Sequence, residues 1–130
     1  ILAVADGYGV TERLWLCHFD WELVARWRQW SDTVKLVDST RLKRIVGGPE
    51  RRASQLEDAG IDAINLPHQE WTGGNVTLFH RFGRRAFGWD AQFPHVLEEL
   101  LIMGVDAVYS DHVDRMVDAF IATDRRMGGR

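Results

Sequence analysis

The stretch MGVDAVYSDH, Met103 to His112, decides the fold of this 130-residue chain, because an earlier stretch repeats it. The earlier copy is AGIDAINLPH, Ala59 to His68. Both read glycine, a β-branched residue, aspartate, alanine, a β-branched residue, three variable residues and histidine. Glycine is typical of the position that ends a helix, and β-branched residues with alanine favour a buried strand. The repeat therefore indicates one βα unit that the chain uses twice.

Five short apolar runs along the chain have the character of buried strands. They start 20, 27, 23 and 21 residues apart, and amphipathic segments fill the gaps between them. Continuous apolar strands that alternate with helices predict a parallel α/β sheet covered by helices. The runs are LWLCHF (14–19), VKLVD (34–38), IDAINL (61–66), RRAFGW (84–89) and VDAVYS (105–110).

The segments between and after these runs predict the helices. The last, DHVDRMVDAFIA, spaces its apolar residues at intervals of 3, 1, 3 and 1, which is the helical period. Three of the others end at glycine, where a left-handed helix cap is favoured. These other segments are DWELVARWRQW, PERRASQLEDAG, GNVTLFHRFG and FPHVLEELLIMG.

The spacing of the strands and the loops that follow them distinguish between two kinds of parallel fold, an open sheet and a closed barrel. No run is followed by a glycine-rich phosphate loop such as G-x-G-x-x-G, so a nucleotide-binding open sheet is disfavoured. The monotonous spacing instead predicts an α/β fold that is part of a (β/α)8 TIM barrel. Such a barrel needs about 250 residues. Five strands in 130 residues would be a little over half of one.

The composition limits the partners and the compartment. A net charge of −3 gives no reason to expect nucleic acid or an anionic membrane surface as partner, and no apolar run is long enough to span a membrane. The single cysteine, Cys17, fits a reducing compartment, so we predict a cytoplasmic location. The chain begins with Ile1 and reads like the end of a helix, so we expect it to be part of a longer protein. The composition predicts no oligomeric state.

Polar or aromatic residues follow every predicted strand. In parallel α/β folds the chemistry lies at the carboxyl ends of the strands, so this bias predicts an active-site face. Asp20 and Asp111 are also good helix N-caps, and Asp62 and Asp106, at the opposite strand ends, are interpreted as structural. The strand-end residues are Cys17, His18, Phe19 and Asp20, then Asp38 and Ser39, then Asn65, Pro67 and His68, then Trp89 and Asp90, then Ser110, Asp111 and His112.

Three histidines share this predicted rim, and two do not. His18, His68 and His112 could together bind a metal, or could donate hydrogen bonds and line a substrate site. His80 and His95 fall on helices away from the rim, and we predict them to be surface residues.

Two long segments carry a family resemblance. YGVTERLWLCHFDWELVARWR is similar to a strand that ends in Ser-Phe-Asp before a helix. RRAFGWDAQFPHVLEELLIMGVDAVYSD is similar to a strand ending in Trp-Thr-Val-Asn, a helix, and then Gly-Val-Asp-Gly-Ile-x-Thr-Asp. Both resemble the C-terminal half of the TIM barrel of the glycerophosphodiester phosphodiesterase family. The resemblance implies a partial barrel domain over 1–123 and a tail over 124–130.

The resemblance also implies an activity and a set of site residues. The family hydrolyses glycerophosphodiesters, which are small molecules, to an alcohol and glycerol 3-phosphate, usually with a divalent cation such as magnesium or calcium. Its His-Arg-Gly, Glu-x-Asp, His-Asp and Glu-x-Lys motifs have no counterpart here, so we expect neither catalytic residues nor metal ligands in this chain. The implied substrate-binding residues are Trp89, Phe19, His18, His68 and Asp111, with Trp89 and Phe19 forming an apolar wall.

The sequence departs from the family pattern at four rim positions, and this keeps alternatives open. His18, Asp90 and Ser110 replace a serine and two threonines, and His112 stands where proline is common. One alternative is a metal-dependent amidohydrolase-type barrel with the three rim histidines near the metal. The other is a barrel fragment that has no catalytic role and serves as a binding or scaffold module.

Overall fold

The computed structural model describes residues 13–109 together with Gly7, Gly9, Ala119 and 121–125. Within residues 14–109, five strands alternate with four α-helices and three short 3-10 turns. The strands are β1 (Trp15–His18), β2 (Lys35–Ser39), β3 (Ala63–Pro67), β4 (Arg85–Trp89) and β5 (Ala107–Val108). The helices are α1 (Trp21–Trp27), α2 (Pro49–Ala59), α3 (Gly73–Arg81) and α4 (Pro94–Met103), and the 3-10 turns are Arg28–Trp30, Leu42–Arg44 and His68–Glu70.

The five strands form one sheet in which every strand pairs with its neighbours in sequence. The order is β1-β2-β3-β4-β5 and all four pairings are parallel. A doubly wound sheet reverses its strand order at a switch point, whereas a (β/α)8 barrel keeps one direction throughout. The predicted α/β class and the predicted part of a TIM barrel are therefore confirmed.

Contacts across the sheet show that it is strongly curved. β1 and β4 are three strand spacings apart, which would be about 14 Å in a flat sheet. The Trp15 and Phe87 rings on these strands nevertheless approach to 5.3 Å between centroids. Side chains of such distant strands meet only if the face that carries them is concave. Val37, Ala63 and Phe87 form a buried cluster on this concave face.

The helices lie on the convex side, where the main hydrophobic core forms. The Trp71 side chain anchors the loop after β3 to the sheet, because its indole N–H donates to the Phe87 carbonyl at 2.8 Å. The largest fully buried side chains of this core include Phe79, Leu36, Leu56, Ile61, Ile64, Leu66, Leu97 and Leu100.

The repeated phrase has the same backbone structure in both copies. Gly60 and Gly104 end α2 and α4 in the left-handed conformation, with φ of 71° and 95°. The buried residue that follows each glycine bonds back into the helix, from Ile61 N–H to the Leu56 carbonyl and from Val105 N–H to the Leu100 carbonyl. The predicted glycine helix stops are thus confirmed, and each one turns the chain directly into a strand.

The aspartate of each copy has the same role, just before the start of its strand. The Asp62 carboxylate accepts from the Leu36 backbone N–H at 2.9 Å, and Asp106 accepts from Ala86 N–H at 2.7 Å. Each carboxylate thereby satisfies the backbone of the preceding strand at the end opposite the rim. This confirms the structural interpretation of both aspartates.

Each of these aspartates also has a basic partner. Arg28 Nη2 lies 3.0 Å from an Asp62 oxygen, and His80 Nε2 lies 2.7 Å from an Asp106 oxygen. His80 is exposed as predicted, but it also serves as the hydrogen-bond partner of Asp106. His95 is exposed on α4 and stacks on Phe93.

The last predicted helix falls mostly outside the described residues, although Ala119 and 121–125 have helical backbone. The boundary at 123 between domain and tail stays a prediction. None of the helices in the described part of the chain is long and apolar enough to cross a membrane.

Candidate active site

The candidate site is the rim where the carboxyl ends of the parallel strands meet. Successive side chains of a strand point to opposite faces, and Phe87 faces the concave side. Trp89, two residues further along β4, therefore shares that side. By the same alternation, Ser39 and Asn65 follow Val37 and Ala63 on the concave face.

Two cross-strand contacts occupy the concave rim. The Asn65 side-chain amide donates to the Ser39 hydroxyl at 3.2 Å. The Arg41 guanidinium carbon lies 5.0 Å from the centroid of the Trp89 ring. Arg41 follows β2 and Trp89 ends β4, so this second contact crosses the end of β3 and depends on the curvature of the sheet.

Trp89 has a position suited to the predicted apolar wall. It is half-buried, and its backbone is in register with Pro67 of β3. Its role as a substrate-binding residue stays a prediction.

Phe19 and His18 lie together at the end of β1, where His18, in register with Asp38, points to the helix side and Phe19 is exposed. The Phe19 side chain is 66% exposed, and the two rings stack with centroids 4.3 Å apart. His18 Nδ1 accepts a hydrogen bond from the Asp20 backbone N–H at 3.0 Å, and the ring edge meets Trp27. Because Nδ1 is used as an acceptor, Nε2 is the nitrogen of His18 that remains to donate to a ligand.

His68 begins the 3-10 turn that follows β3 and is half-buried. Glu70, in the same turn, accepts a hydrogen bond from the Leu42 backbone N–H of the loop after β2. The two loops are therefore joined at the rim. The substrate-lining role of His68 stays a prediction.

The structure places Asp38 away from the rim, and its inclusion among the site-lining strand ends is wrong. Its neighbour Val37 faces the concave side, so Asp38 points to the helices, where its side chain is fully buried. The Arg52 guanidinium of α2 lies 2.8 Å from its carboxylate and also lies over the Trp21 ring. Burial raises the pKa of Asp38, and the hydrogen bond and charge of Arg52 oppose that rise.

The predicted helix-capping role of Asp20 is confirmed. Its carboxylate accepts from the backbone N–H groups of Glu22 and Leu23, at 3.1 and 3.3 Å, at the start of α1. The predicted roles of Asp111, Ser110 and His112 lie outside the described residues.

The chain has two further unusual groups at this edge. Asp90, directly after Trp89, has a φ of 63°, the only positive φ of a non-glycine residue in the described part of the chain. Such conformations are enriched at binding and catalytic sites. Burial, with a further contribution from Cys17, raises the pKa of Tyr109 above its usual range. Cys17 lies on β1 and Tyr109 directly follows β5, at the other edge of the sheet.

The described residues do not form a metal site. Among them, no group of three or more histidine, cysteine, aspartate or glutamate side chains could hold an ion. The three-histidine arrangement of the amidohydrolase alternative includes His112, which lies outside the described residues.

Arg41 is the rim residue that the sequence reasoning missed. It lies two positions beyond the end of β2 and continues the two-residue alternation that places Val37 and Ser39 on the same face. That alternation, together with a basic side chain just past a strand end, is a signal that could have identified Arg41.

The fold and the rim together define the class of this chain. It is part of a (β/α)8 barrel with a concave face lined by aromatic side chains. The edge at the carboxyl ends of its strands carries Arg41 over the Trp89 ring and an exposed phenylalanine.

Comparisons with known proteins agree with the resemblance found in the sequence. No family model matches the chain. The chain is 34% identical over 67 residues to a protein of Mycobacterium tuberculosis named "Probable glycerophosphodiester phosphodiesterase 2", and the match covers 48% of this chain and 25% of that protein. The suspected resemblance to the glycerophosphodiester phosphodiesterases is therefore confirmed.

Solved structures named as phosphodiesterases have the same fold. A structure from Silicibacter pomeroyi, assigned to the glycerophosphoryl diester phosphodiesterases, aligns with 93% of this chain at a TM-score of 0.80 and 20% identity. A glycerophosphodiester phosphodiesterase from Parabacteroides distasonis aligns with 97% at 0.73 and 13%. An Oleispira antarctica phosphodiesterase in complex with the product sn-glycerol-3-phosphate aligns with 83% at 0.71 and 13%.

The chain corresponds to a part of these proteins. It covers 42% of the Silicibacter and Oleispira chains and 49% of the Parabacteroides chain. The likeness over this part establishes that the fold is a portion of the barrel.

Proposed function

We propose that the full-length protein is a glycerophosphodiester phosphodiesterase, which hydrolyses a glycerophosphodiester to an alcohol and glycerol 3-phosphate. The observation that carries the proposal is the match in fold to solved phosphodiesterases over 93% of the chain, combined with Trp89 at the rim where a substrate would lie. The sequence match to the mycobacterial protein supports it independently.

The described residues would supply the binding wall of such a site. Water would attack the phosphorus of the diester, the bond from phosphorus to the alcohol oxygen would break, and the alcohol would leave with a proton. Trp89 would pack against the carbon skeleton of the glycerol or alcohol moiety, and Phe19 would extend this apolar wall. Asp111, His18 and His68 complete the predicted substrate-binding set, although the His18 ring lies against Trp27 of α1, on the helix side of the sheet.

A divalent cation, magnesium or calcium, is part of the proposal for the full-length protein. The described residues contain no group that fits such an ion. We therefore derive no step through a metal from them. The cytoplasmic location and the absence of nucleic-acid partners stay predictions.

The proposal is tested by the hydrolysis of glycerophosphocholine by the full-length protein, with coupled detection of sn-glycerol 3-phosphate. Replacing Trp89 by alanine should lower kcat/KM by about tenfold, because losing a stacked aromatic wall costs roughly 1.5 kcal/mol of binding. Trp30→Ala is the matched control, since Trp30 is 63% exposed and lies in the 3-10 turn after α1, away from the rim.

The two variants separate binding from folding. Wild-type kinetics in a folded Trp89→Ala protein would refute the wall role. An absence of turnover in the wild-type protein with several glycerophosphodiesters, with added magnesium or calcium, would refute the proposed activity itself.

A further inference from the structure

The loop after β2 carries a cation that the proposed mechanism has not used. Arg41 has an extended backbone, with φ of −134° and ψ of 149°, and reaches across the end of β3 to Trp89. Its guanidinium carbon lies 5.0 Å from the centroid of the indole ring. The side chain is half-buried, so one side of it packs on protein and the other faces the rim.

The charge of Arg41 is not balanced by a protein carboxylate within the described residues. The ion pairs found there join Arg28 to Asp62, Arg52 to Asp38 and His80 to Asp106. All three lie on the helix side or at the opposite end of the sheet. A cation stacked on an aromatic face keeps its N–H donors in the plane of the guanidinium, where they can meet an anion.

The loop that carries Arg41 is held in place by its neighbours. Glu70 accepts from the Leu42 backbone N–H, and the Asn75 side chain donates to the Glu70 carbonyl at 3.2 Å. The Arg44 backbone N–H donates to the Arg41 carbonyl at 2.9 Å. Arg41 is thus positioned before any ligand arrives, which reduces the entropy lost on binding.

We propose that Arg41 is a further substrate-binding residue, which binds an anionic oxygen group of the substrate. The inference rests on the proposed function, because it places this anion at the rim of a diesterase site. The guanidinium fork matches the geometry of a phosphate or a carboxylate with two parallel N–H···O bonds. The anion is either the diester phosphate common to every substrate or an acidic group on the alcohol moiety.

Two substrates distinguish the two sources of the anion. Glycerophosphocholine carries only the diester phosphate as an anion, whereas glycerophosphoserine adds a carboxylate. A charged hydrogen bond lost from a binding site weakens binding by roughly tenfold to a hundredfold. We expect Arg41→Gln in the full-length protein to raise KM by this factor. A rise with both substrates identifies the phosphate, and a rise with glycerophosphoserine alone identifies the carboxylate.

The variants include a conservative change and a matched control. Arg41→Lys keeps the charge but loses the planar fork, so its KM should fall between those of the wild type and Arg41→Gln. Arg81→Gln makes the same chemical change at an exposed position at the end of α3 and should leave KM unchanged. An unchanged melting temperature in Arg41→Gln excludes a folding defect. Wild-type KM values with both substrates in this folded variant would overturn the proposal.

A direct binding measurement keeps the inference separate from the proposed function. If the wild-type protein hydrolyses none of the diesters, the proposed function fails, and calorimetric titration with inorganic phosphate then tests Arg41 alone. Weaker phosphate binding in Arg41→Gln than in the wild type and Arg81→Gln would support the anion site. Equal phosphate affinity in all three proteins, or no binding to any of them, would overturn it.

Discussion

Replacing Arg52 by methionine should destabilise the full-length protein strongly at neutral pH and much less in mild acid. Arg52 and Asp38 are both buried, their side chains being 6% and 0% exposed, and they meet at 2.8 Å. Methionine keeps most of the volume of the side chain over the Trp21 ring but removes the guanidinium. The Asp38 carboxylate would then be buried without its counter-charge, a situation that typically costs about 3–5 kcal/mol.

The structure also sets a ceiling on this loss. A buried carboxylate without a partner can take up a proton instead of staying charged. Protonating a carboxyl group whose ordinary pKa is 3.8 at pH 7 costs about 4.4 kcal/mol, at about 1.4 kcal/mol for each pH unit. We therefore expect Arg52→Met to lose about 3–4 kcal/mol of unfolding free energy at pH 7.

The sign of the pH dependence follows from proton uptake. In the variant the folded state holds the Asp38 proton up to a high pH, whereas the unfolded chain releases it near pH 3.8. The folded state thus binds more protons between these limits, so stability falls as the pH rises through that window and recovers as the pH falls. In the wild type, burial also raises the pKa of Asp38, but Arg52 limits the rise. The deficit of the variant should shrink by roughly 2 kcal/mol between pH 7 and pH 5.

The assay is urea unfolding followed by tryptophan fluorescence at pH 5, 6 and 7. Asp38→Asn combined with Arg52→Met is the matched control, because it removes the charge that the single variant leaves unpaired. The double variant should be more stable than Arg52→Met at pH 7 and should lack its pH dependence. A single variant within 0.5 kcal/mol of the wild type, or a deficit that does not change between pH 5 and pH 7, would refute the reasoning.

Two further predictions concern the start of the strands and the isolated chain. Asp106→Ala and Asp62→Ala should each lower the unfolding free energy by about 1–3 kcal/mol, because each leaves a strand N–H without an acceptor. The exposed Asp58→Ala is the control. Losses below 0.5 kcal/mol in both Asp106→Ala and Asp62→Ala would contradict the shared role. The 130-residue chain by itself leaves Trp15 and Tyr109 of the concave face 38% and 48% exposed. It should therefore self-associate, which light scattering would detect. It should also not hydrolyse glycerophosphocholine, and turnover by the purified chain would contradict a catalytic centre elsewhere in the protein.

The elements of the fold could be predicted from the sequence because their signals are local. A left-handed conformation after a helix strongly favours glycine, so Gly60 and Gly104 mark two boundaries without any tertiary information. The apolar runs are short and continuous, which favours strands over helices. The sequential order of the strands then followed from the absence of a nucleotide fingerprint and the regular spacing.

The direction of the strand-end side chains was harder to predict, although part of the information was present. Asp38 was grouped with the rim residues because it ends a strand, yet it alternates with Val37 and so faces the helices. The two-residue alternation of side chains along a strand would have placed Asp38 and Val37 on opposite faces of the sheet. The contact of Arg41 with Trp89 could not be predicted in this way, because it joins chain segments two strands apart and exists only when the sheet curves.

The two ends of the repeated phrase have different roles. One contributes to stability at the amino end of the sheet, and the other lies at the carboxyl end, where we propose that a ligand binds. In both copies the aspartate satisfies a backbone N–H at the amino end of the sheet, so that part of the phrase is fixed by folding. In the first copy the variable residues, 65–67, form the carboxyl end of β3, after which His68 begins a turn at the rim. Since Trp89 and Arg41 meet at that same end, changes there can alter the ligand without disturbing the hydrogen bonds at the other end. The kinetic effect of Arg41→Gln and the loss of stability in Asp106→Ala should therefore be independent of one another in a double variant, because the two groups share no contact.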